Sequence, residues 1–413
     1  MKKFLQSVGP AIVVAAVVLG PGSITTSTKV GASFGYDALW VLGGVLILLI
    51  GLASLAAWLG TTMEKSLCGE LSSRLGKWSG GIIGVAAFVI VAGFQSSNNM
   101  AVVAGLEPMV GREFSTLAIV LTLLVTNAII VAILYFAKDL YQYIEKLMKV
   151  FVGLMIIAFI LNFFWAEPSV GEAAKGLFPD FSMFGNKAQL LTLMGLIGTT
   201  FSVVGAFYQG YLVREKGWTV NDLGAGRRDS IIGMFVLVGV TAIIMMTAAA
   251  VFAGKTDPGD LGNAGAISAA LEPLFGAKAK YIFCFGFLAG AFSSFLVNAM
   301  IGGHIFTDGV GKGEKLKGQF TRHATTAALL VGMIIGILAL TTDFDRTTTI
   351  VIAQAATVIG GPAVVAALLY LGLQQRKAAE HKTPMWMLVI AGISLLVSLA
   401  VATRTTLSLV GAV

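Results

Sequence analysis

The sequence has 413 residues, of which 57% are hydrophobic and only 12% are charged, against roughly 25% charged residues in ordinary soluble domains. This composition excludes a water-soluble globular fold, because no such fold hides so much apolar surface. The net charge of +7 could indicate nucleic-acid binding, but the way the charges are distributed along the chain gives it another explanation.

Apolar runs of about 20 residues, the length that crosses a bilayer as a helix, recur throughout the chain. They predict an all-α integral membrane protein with about eleven transmembrane helices and no soluble domain. The run after Met1-Lys2-Lys3 is too long for the hydrophobic part of a signal peptide, so we expect it to be retained as span one. In chain order the predicted spans are 10–30, 39–60, 81–106, 117–136, 147–165, 190–213, 231–253, 282–305, 325–340, 348–371 and 386–401.

Lysine and arginine are distributed unevenly between the alternate loops. The side that holds the N-terminus has 19 of the 28, the opposite side has 8, and Lys29 lies near the end of span one. Loops rich in Lys and Arg stay in the cytoplasm. The sequence therefore predicts a multi-pass protein of the cell (inner, cytoplasmic) membrane, with its N-terminus in the cytoplasm and its C-terminus opposite. The same uneven distribution explains the basic net charge without nucleic-acid binding.

Span one contains an unusual polar interruption, Gly20-Pro21-Gly22-Ser23, followed by hydroxyl residues from Thr25 to Thr28. Proline removes a backbone donor and the flanking glycines weaken the helix further. Unwound backbone at membrane depth is tolerated where it is buried in protein or lines a cavity. The pattern favours a broken helix that exposes backbone groups for substrate binding, although a simple kink is the alternative.

Span six has a matching interruption, in which Thr199, Thr200 and Ser202 lie between Gly198 and Gly205. Broken helices at the first position of each half are typical of transporters built from two inverted repeats. We therefore predict one transmembrane transporter domain over 1–413, with repeats at about 10–165 and 190–371 and an extra helix at about 386–401. The alternative is that these small residues only let helices pack closely.

Amide side chains also lie inside predicted spans. Gln95, Asn98 and Asn99 belong to the run Gln95-Ser96-Ser97-Asn98-Asn99 in span three, and Gln354 precedes Gly360-Gly361-Pro362 in span ten. Buried amides can act as packing contacts worth about 0.6 kcal/mol each. A cluster of five polar residues exceeds what packing needs, so we interpret it as a polar pathway.

Several stretches resemble the Nramp family of metal transporters. Gly20-Pro21-Gly22-Ser23 followed by Gly31-Ala32-Ser33-Phe34-Gly35-Tyr36 is similar to the family's Asp-Pro-Gly-Asn and Gly-Ala-x-Phe-Gly-Tyr run. Three further stretches resemble other segments of the family in the same order: Tyr141–Lys149, Gly176–Pro179 and Ala353–Ala356. The resemblance covers nearly the whole chain, and its departures from the metal motif suggest the family's magnesium-transporting branch.

The resemblance implies a leucine-transporter-type fold and proton-coupled uptake of divalent metals. It places the metal site at Gly20, Ser23 and Ser202, but the family has Asp and Asn at the first two positions and Met-Pro-His at Ser202-Val203-Val204. The acidic proton route of the family falls near Gln95 and Asn98. The substrate-binding set we predict is Gly20, Pro21, Gly22, Ser23, Thr199, Ser202, Val203 and Gln354.

These observations predict a secondary transporter of a divalent metal ion, Mg²⁺ or Mn²⁺, that is not proton-coupled through the usual family residues. The alternative is a carrier of a small organic solute, such as a carboxylate or an amino acid, held by the amides at the break. A non-transporting membrane scaffold is a third interpretation. The sequence contains no nucleotide-binding loop of the kind that would indicate an enzyme or an ATP-driven pump. We expect no cofactor, no nucleic acid and no obligate protein partner, only the cargo and the bilayer.

Overall fold

The structure is a computed structural model that describes residues 9–181, 183, 187–262, 264–342, 346–378 and 380–409. Its long regular elements in this part of the chain are α-helices, as the apolar runs predict. In chain order they are α1 Pro10–Val18, α2 Pro21–Phe34, α3 Leu39–Thr62, α4 Leu67–Leu75, α5 Lys77–Val110, α6 Thr116–Phe136, α7 Leu140–Ala166, α8 Val170–Lys175, α9 Lys187–Thr200, α10 Val203–Glu215, α11 Leu223–Phe252, α12 Ala264–Phe275, α13 Ala277–Gly309, α14 Gln319–Thr341, α15 Arg346–Ala378 and α16 Met385–Leu409.

The helices agree with the predicted pattern of spans. Within the described residues, nine stretches are long and apolar enough to cross a membrane, and the bent pair α1 and α2 makes a tenth. Helix α15, with 33 residues, covers predicted span ten. The all-α membrane fold is therefore confirmed. Span one corresponds to α1 with α2, span three to α5, and span six to α9 with α10. Spans seven, eight and nine correspond to α11, α13 and α14, in that order.

The outer surface of the bundle suits contact with lipid. Large apolar side chains point outward along the spans, for example Leu117, Phe136 and Phe164, which are 68%, 83% and 69% exposed. Trp78 and Trp386 lie exposed near helix ends, where aromatic residues favour the membrane interface. A surface of this kind would be unstable in water, so it agrees with the composition.

Several spans are longer than their apolar cores predict. Span three runs over Lys77–Val110 rather than 81–106, and span nine over Gln319–Thr341 rather than 325–340. Span seven begins at Leu223 rather than near 231. The polar ends of these helices extend the backbone hydrogen bonding beyond the apolar window, so hydropathy alone places the boundaries too far inward.

Spans three and eight form the centre of the bundle and pack along their whole length. A side chain at Gly309 would collide with the Gly80 carbonyl, and a Cβ at Gly84 would lie 3.1 Å from the Ile305 oxygen. Small residues let membrane helices approach this closely. The two helices thus form one closely packed pair, and span eight also contacts both halves of span one.

Candidate transport site

The predicted break in span one is present. Helix α1 ends at Val18, α2 begins at Pro21, and the two axes differ by 60°. Gly20 caps α2 with extended backbone, and proline at the first helical position needs no donor there. The local sequence alone therefore accounts for the break.

The predicted break in span six is also present. Helix α9 ends at Thr200 and α10 begins at Val203. Ser202 caps α10, because its Oγ accepts a hydrogen bond from the Gly205 amide at 3.3 Å. Serine at this position satisfies one of the free amides of a helix start.

The two breaks are joined by a pair of buried hydroxyl groups. Thr26 Oγ1 on α2 and Thr199 Oγ1 on α9 lie 2.9 Å apart, within hydrogen-bonding distance. Thr26 also donates to the Gly22 carbonyl at 2.8 Å. The structure thus brings together the discontinuities that lie almost two hundred residues apart in the chain.

A cavity of about 620 Å³ leads from the surface to the break in span one. Its inner end is formed by Pro21 and Gly22, and its outer end by residues after span three and around α12, on the face opposite the N-terminus. The wall between the two ends includes Thr25, Ser97, Met100, Ala104 and Ser268. In this conformation the break is open to one side of the bundle.

The other predicted binding residues of the described part, Gly20, Ser23, Thr199, Ser202 and Val203, lie at or near the two breaks but do not line this cavity. Ser23, Thr199 and Val203 are buried, and Ser202 is engaged as a helix cap. Gly20 faces span eight, since a Cβ there would lie 2.6 Å from Ser294 Oγ. Gln354 lies on α15, but its side chain is outside the described part of the chain. The binding roles of these residues remain predictions.

The amides of span three form a hydrogen-bonded cluster inside the bundle. Gln95 Nε2 donates to the Phe295 carbonyl at 2.7 Å, and its Oε1 accepts from Asn98 Nδ2 at 2.8 Å. Asn99 Oδ1 accepts from Asn127 Nδ2 at 2.8 Å. All four side chains are buried and none of them lines the cavity. Their part in a polar pathway stays a prediction, while their contact with span eight is evident.

Charge is concentrated at the mouth of the cavity. Glu107, Arg112, Glu113 and Lys280 lie on its wall, and Lys280 pairs with Glu272 at 2.9 Å. The side chains at the inner end, Thr25 and Ser97, are uncharged. Within the described residues there is no group of three His, Cys, Asp or Glu side chains that could hold a metal ion.

The opposite face of the bundle is closed by carboxylates that the sequence patterns do not single out. Asp229 of span seven, only 1% exposed, accepts hydrogen bonds from the Gly9 and Ala11 amides at 2.7 and 2.9 Å. Asp308 of span eight accepts from Ser66 and Tyr211, both at 2.6 Å. Hydropathy places both residues in loops or span ends. Their position in the extended helix ends is what buries them.

Comparison with known families agrees with this arrangement. The model of the family described as natural resistance-associated macrophage protein-like, Nramp, matches residues 11–408. The chain belongs to the Nramp family. As an Nramp protein it is a multi-pass membrane transporter and not an enzyme, and the resemblance seen in the sequence is confirmed.

Curated relatives of this Nramp chain are divergent but nearly full-length. The divalent metal cation transporter MntH of Agrobacterium fabrum is 24% identical over 412 residues, 98% of this chain and 87% of the relative. MntH of Vibrio campbellii is 26% identical over 394 residues, 93% and 88% of the two chains. The match thus extends over both broken spans.

Solved structures show the same fold. The manganese transporter of Eremococcus coleocola, in a complex with an aromatic bis-isothiourea compound, aligns with a TM-score of 0.80 and 17% identity, covering 99% of this chain and 88% of that one. MhsT in complex with L-phenylalanine aligns with a TM-score of 0.62 and 16% identity, covering 95% and 98%. The chain therefore has the leucine-transporter-type fold.

Proposed function

We propose that this Nramp protein is a secondary transporter of a divalent metal cation and that its cargo is Mg²⁺. The names of its curated relatives, divalent metal cation transporters, support the class of cargo. The observation that supports Mg²⁺ is the character of the cavity's inner end, where backbone and hydroxyl oxygens stand without a carboxylate.

Hard cations such as Mg²⁺ take oxygen ligands, whereas thioether and thiolate ligands favour softer transition metals. The position where the family has methionine is occupied here by Ser202, which caps a helix. Met100 of span three contributes a soft donor on the described cavity wall. A single thioether of this kind gives Mn²⁺ little advantage over Mg²⁺.

The size of the cavity suits a hydrated ion. Mg²⁺ gives up its water reluctantly, and a shell of six waters occupies on the order of 180 Å³ at about 30 Å³ per water. The cavity of about 620 Å³ accommodates this shell with room to spare. Neutral oxygens at the break would then contact the waters and not the bare ion.

The distribution of lysine and arginine supports an orientation for this transport. We place the N-terminus in the cytoplasm of a bacterial cell, because the loops on that side are the more basic ones. The cavity then opens to the outside, and the Asp229 and Asp308 contacts close the cytoplasmic face. This conformation would load its cargo from outside.

Uptake into proteoliposomes that contain a Mg²⁺-sensitive dye tests the proposal. We expect saturable Mg²⁺ entry into vesicles that hold the full chain. Ala104→Phe should slow entry by about tenfold, equivalent to a barrier raised by about 1.4 kcal/mol, because the ring narrows a cavity that Ala104 lines. Ala128→Phe is the matched control, since Ala128 is exposed on the outer surface of α6. Equal entry with both variants would contradict the placement of the path.

We further propose that transport is not coupled to protons through the positions that carry them in the family. Gln95 and Asn98 stand where the resemblance places acidic residues, and an amide has no proton to exchange at physiological pH. Mg²⁺ entry should therefore leave a pH-sensitive dye inside the vesicles unchanged. Acidification that follows Mg²⁺ entry and disappears in Ala104→Phe would show that a different group carries a proton.

A small carboxylate is the second candidate cargo. The amides at the start of α2 belong to the segment that forms the inner end of the cavity, where Gly22 lies. Helix starts attract anions through such amides, and Arg112 and Lys280 lie at the mouth. Absence of Mg²⁺ and Mn²⁺ entry in a folded preparation, with saturable uptake of radiolabelled amino acids, would favour this candidate.

A further inference from the structure

The end of α6 and the start of α14 meet on the N-terminal side of the bundle, far from the cavity. Tyr135 lies near the end of α6, and its Oη is 2.9 Å from Nδ1 of His323 on α14. The guanidinium carbon of Arg322 lies 5.8 Å from the centre of the Tyr135 ring, a distance at which an aromatic ring attracts a cation. The two helix ends therefore form one continuous surface that contains an arginine.

The charge of Arg322 is not neutralised by the described part of the chain. Its Nε is shielded from solvent and has no hydrogen-bond partner there. The ion pairs of the described residues also do not include its guanidinium. A shielded charged donor without an acceptor is unfavourable, and a guanidinium offers parallel N–H groups that match the oxygens of a phosphate. The position of Arg322 therefore favours an acidic oxygen ligand from outside the chain.

Two lysines add positive charge to the same surface. Lys317, in the loop before α14, donates from Nζ to the Lys138 carbonyl at 2.6 Å and lies 3.3 Å from Asp139 Oδ1. The side chain of Lys138 is exposed. Helix α14 also begins without a side-chain cap, so its first amides and the positive end of its dipole add to the field. Lys138, Lys317 and Arg322 outweigh Asp139, and the surface is positively charged.

The basic surface continues directly into the apolar surface that faces lipid. Phe136 and Phe320 are exposed beside it, and Leu330 and Ile334 are exposed further along α14. On α6 the exposed Ile129 extends the same apolar surface. Basic pockets between membrane helices on the cytoplasmic side bind acidic lipid headgroups. A ligand with an acidic head and apolar tails matches both parts of this surface, whereas a soluble anion would use only the basic part.

We propose that Arg322, Lys317 and Lys138 bind the phosphate of an anionic phospholipid whose acyl chains lie along α6 and α14. A choline or ethanolamine headgroup would bring a further positive charge to a surface that is already positive, so the anionic lipid is preferred. The bound lipid connects α6 to α14 and stabilises their packing. This site is independent of the cargo and of the transport mechanism.

Titration of the purified full chain in detergent with dioleoyl phosphatidylglycerol, with bound lipid counted by native mass spectrometry, tests the site. We expect saturation of the first site at a lower concentration than with dioleoyl phosphatidylcholine. In Arg322→Gln the half-saturating phosphatidylglycerol concentration should rise about tenfold or more, the scale of losing hydrogen bonds to a charged group. Arg228→Gln is the matched control, because it removes an exposed arginine near the start of α11 on the same side.

A second measurement covers the case in which Arg322→Gln is less stable. Phosphatidylglycerol should raise the melting temperature of the wild type and of Arg228→Gln more than that of Arg322→Gln. Lys317→Gln, a change at an exposed side chain, should weaken binding in the same direction. Equal affinity of the wild type for the two lipids, or an equal loss in Arg322→Gln and Arg228→Gln, would overturn the site. Displacement of the lipid by an equal concentration of inorganic phosphate would assign the surface to a soluble anion and also overturn it.

Discussion

Replacing Asp229 with leucine should weaken the closed N-terminal side of the transporter by about 3 kcal/mol or more, since each buried polar group left without a partner costs about 1–3 kcal/mol. The carboxylate accepts hydrogen bonds from the Gly9 and Ala11 amides and from Gln209 Nε2, the last at 3.0 Å. Leucine leaves all three donors unsatisfied. The loss applies to the closed form, because water reaches the two amides once α1 moves away.

This change can be followed with the protein's own cysteines. Cys68 and Cys284 are both buried and free, so Cys284→Ser leaves Cys68 as the single reporter on the N-terminal side. Asp229→Leu in that background should accelerate labelling of Cys68 by a membrane-permeant maleimide, with a lower melting temperature. Asp229→Asn, which keeps one acceptor oxygen, should give an intermediate rate.

Asp260→Leu serves as the matched control, because Asp260 is exposed on the opposite face. Its replacement makes the same change in charge and side-chain shape. Its labelling rate and melting temperature should equal those of the parent. If Asp229→Leu behaves like Asp260→Leu in both measurements, the Asp229 contacts do not hold the closed face together.

The features predicted from sequence are those that local chemistry decides. The break at Gly20-Pro21 follows from a missing donor and two flexible residues, whatever the rest of the chain does. The break at Ser202 follows from small residues and a good helix cap. Spans follow from hydropathy because the bilayer leaves the backbone few other choices. The Nramp resemblance is visible for the same reason, since its motif lies at one of these breaks.

The features that sequence does not reveal depend on contacts between distant segments. Asp229 looks like a loop residue, and only the packing of α11 against the start of α1 turns it into a cap for another helix. The amide run predicts a pathway at Gln95, whose bond to Phe295 depends on how closely span eight approaches. Ser293 carries no signal in the sequence, because its partner is the Ala16 carbonyl on span one. Periodicity within one segment contains no information on such pairs.

Removing the hydroxyl of Tyr211 should also open the N-terminal side, at a second point of contact. Tyr211 donates to Asp308 at 2.6 Å, and its oxygen accepts from the Cys68 amide at 3.3 Å. Tyr211→Phe leaves a buried carboxylate oxygen and a buried amide without these partners, at a cost of about 1–3 kcal/mol each. We expect labelling of Cys68 to become about tenfold faster or more, since 1.4 kcal/mol is a factor of ten in the open population.

The direction of this change separates opening of the protein from a change in the reactivity of the thiol. Burial raises the pKa of the Cys68 thiol above its ordinary value, the charge of Asp308 raises it further, and the Tyr211 hydrogen bond lowers it. The thiolate is the reactive form. In a protein that stays closed, Tyr211→Phe removes the contact that lowers the pKa and should slow labelling. Faster labelling can then come only from exposure of Cys68, whereas Asp308→Asn would mix both effects.

Tyr143→Phe provides the control for this experiment, because Tyr143 is 47% exposed on α7 and loses the same hydroxyl. Its labelling rate should match the parent. Slower labelling in Tyr211→Phe would mean that the closed face survives the loss of this contact, and closure would then depend on Asp229 and its bonds to α1. Faster labelling in both Tyr211→Phe and Asp229→Leu would show that each contact is required, because two separate carboxylates would then be holding the halves of spans one and six against spans seven and eight.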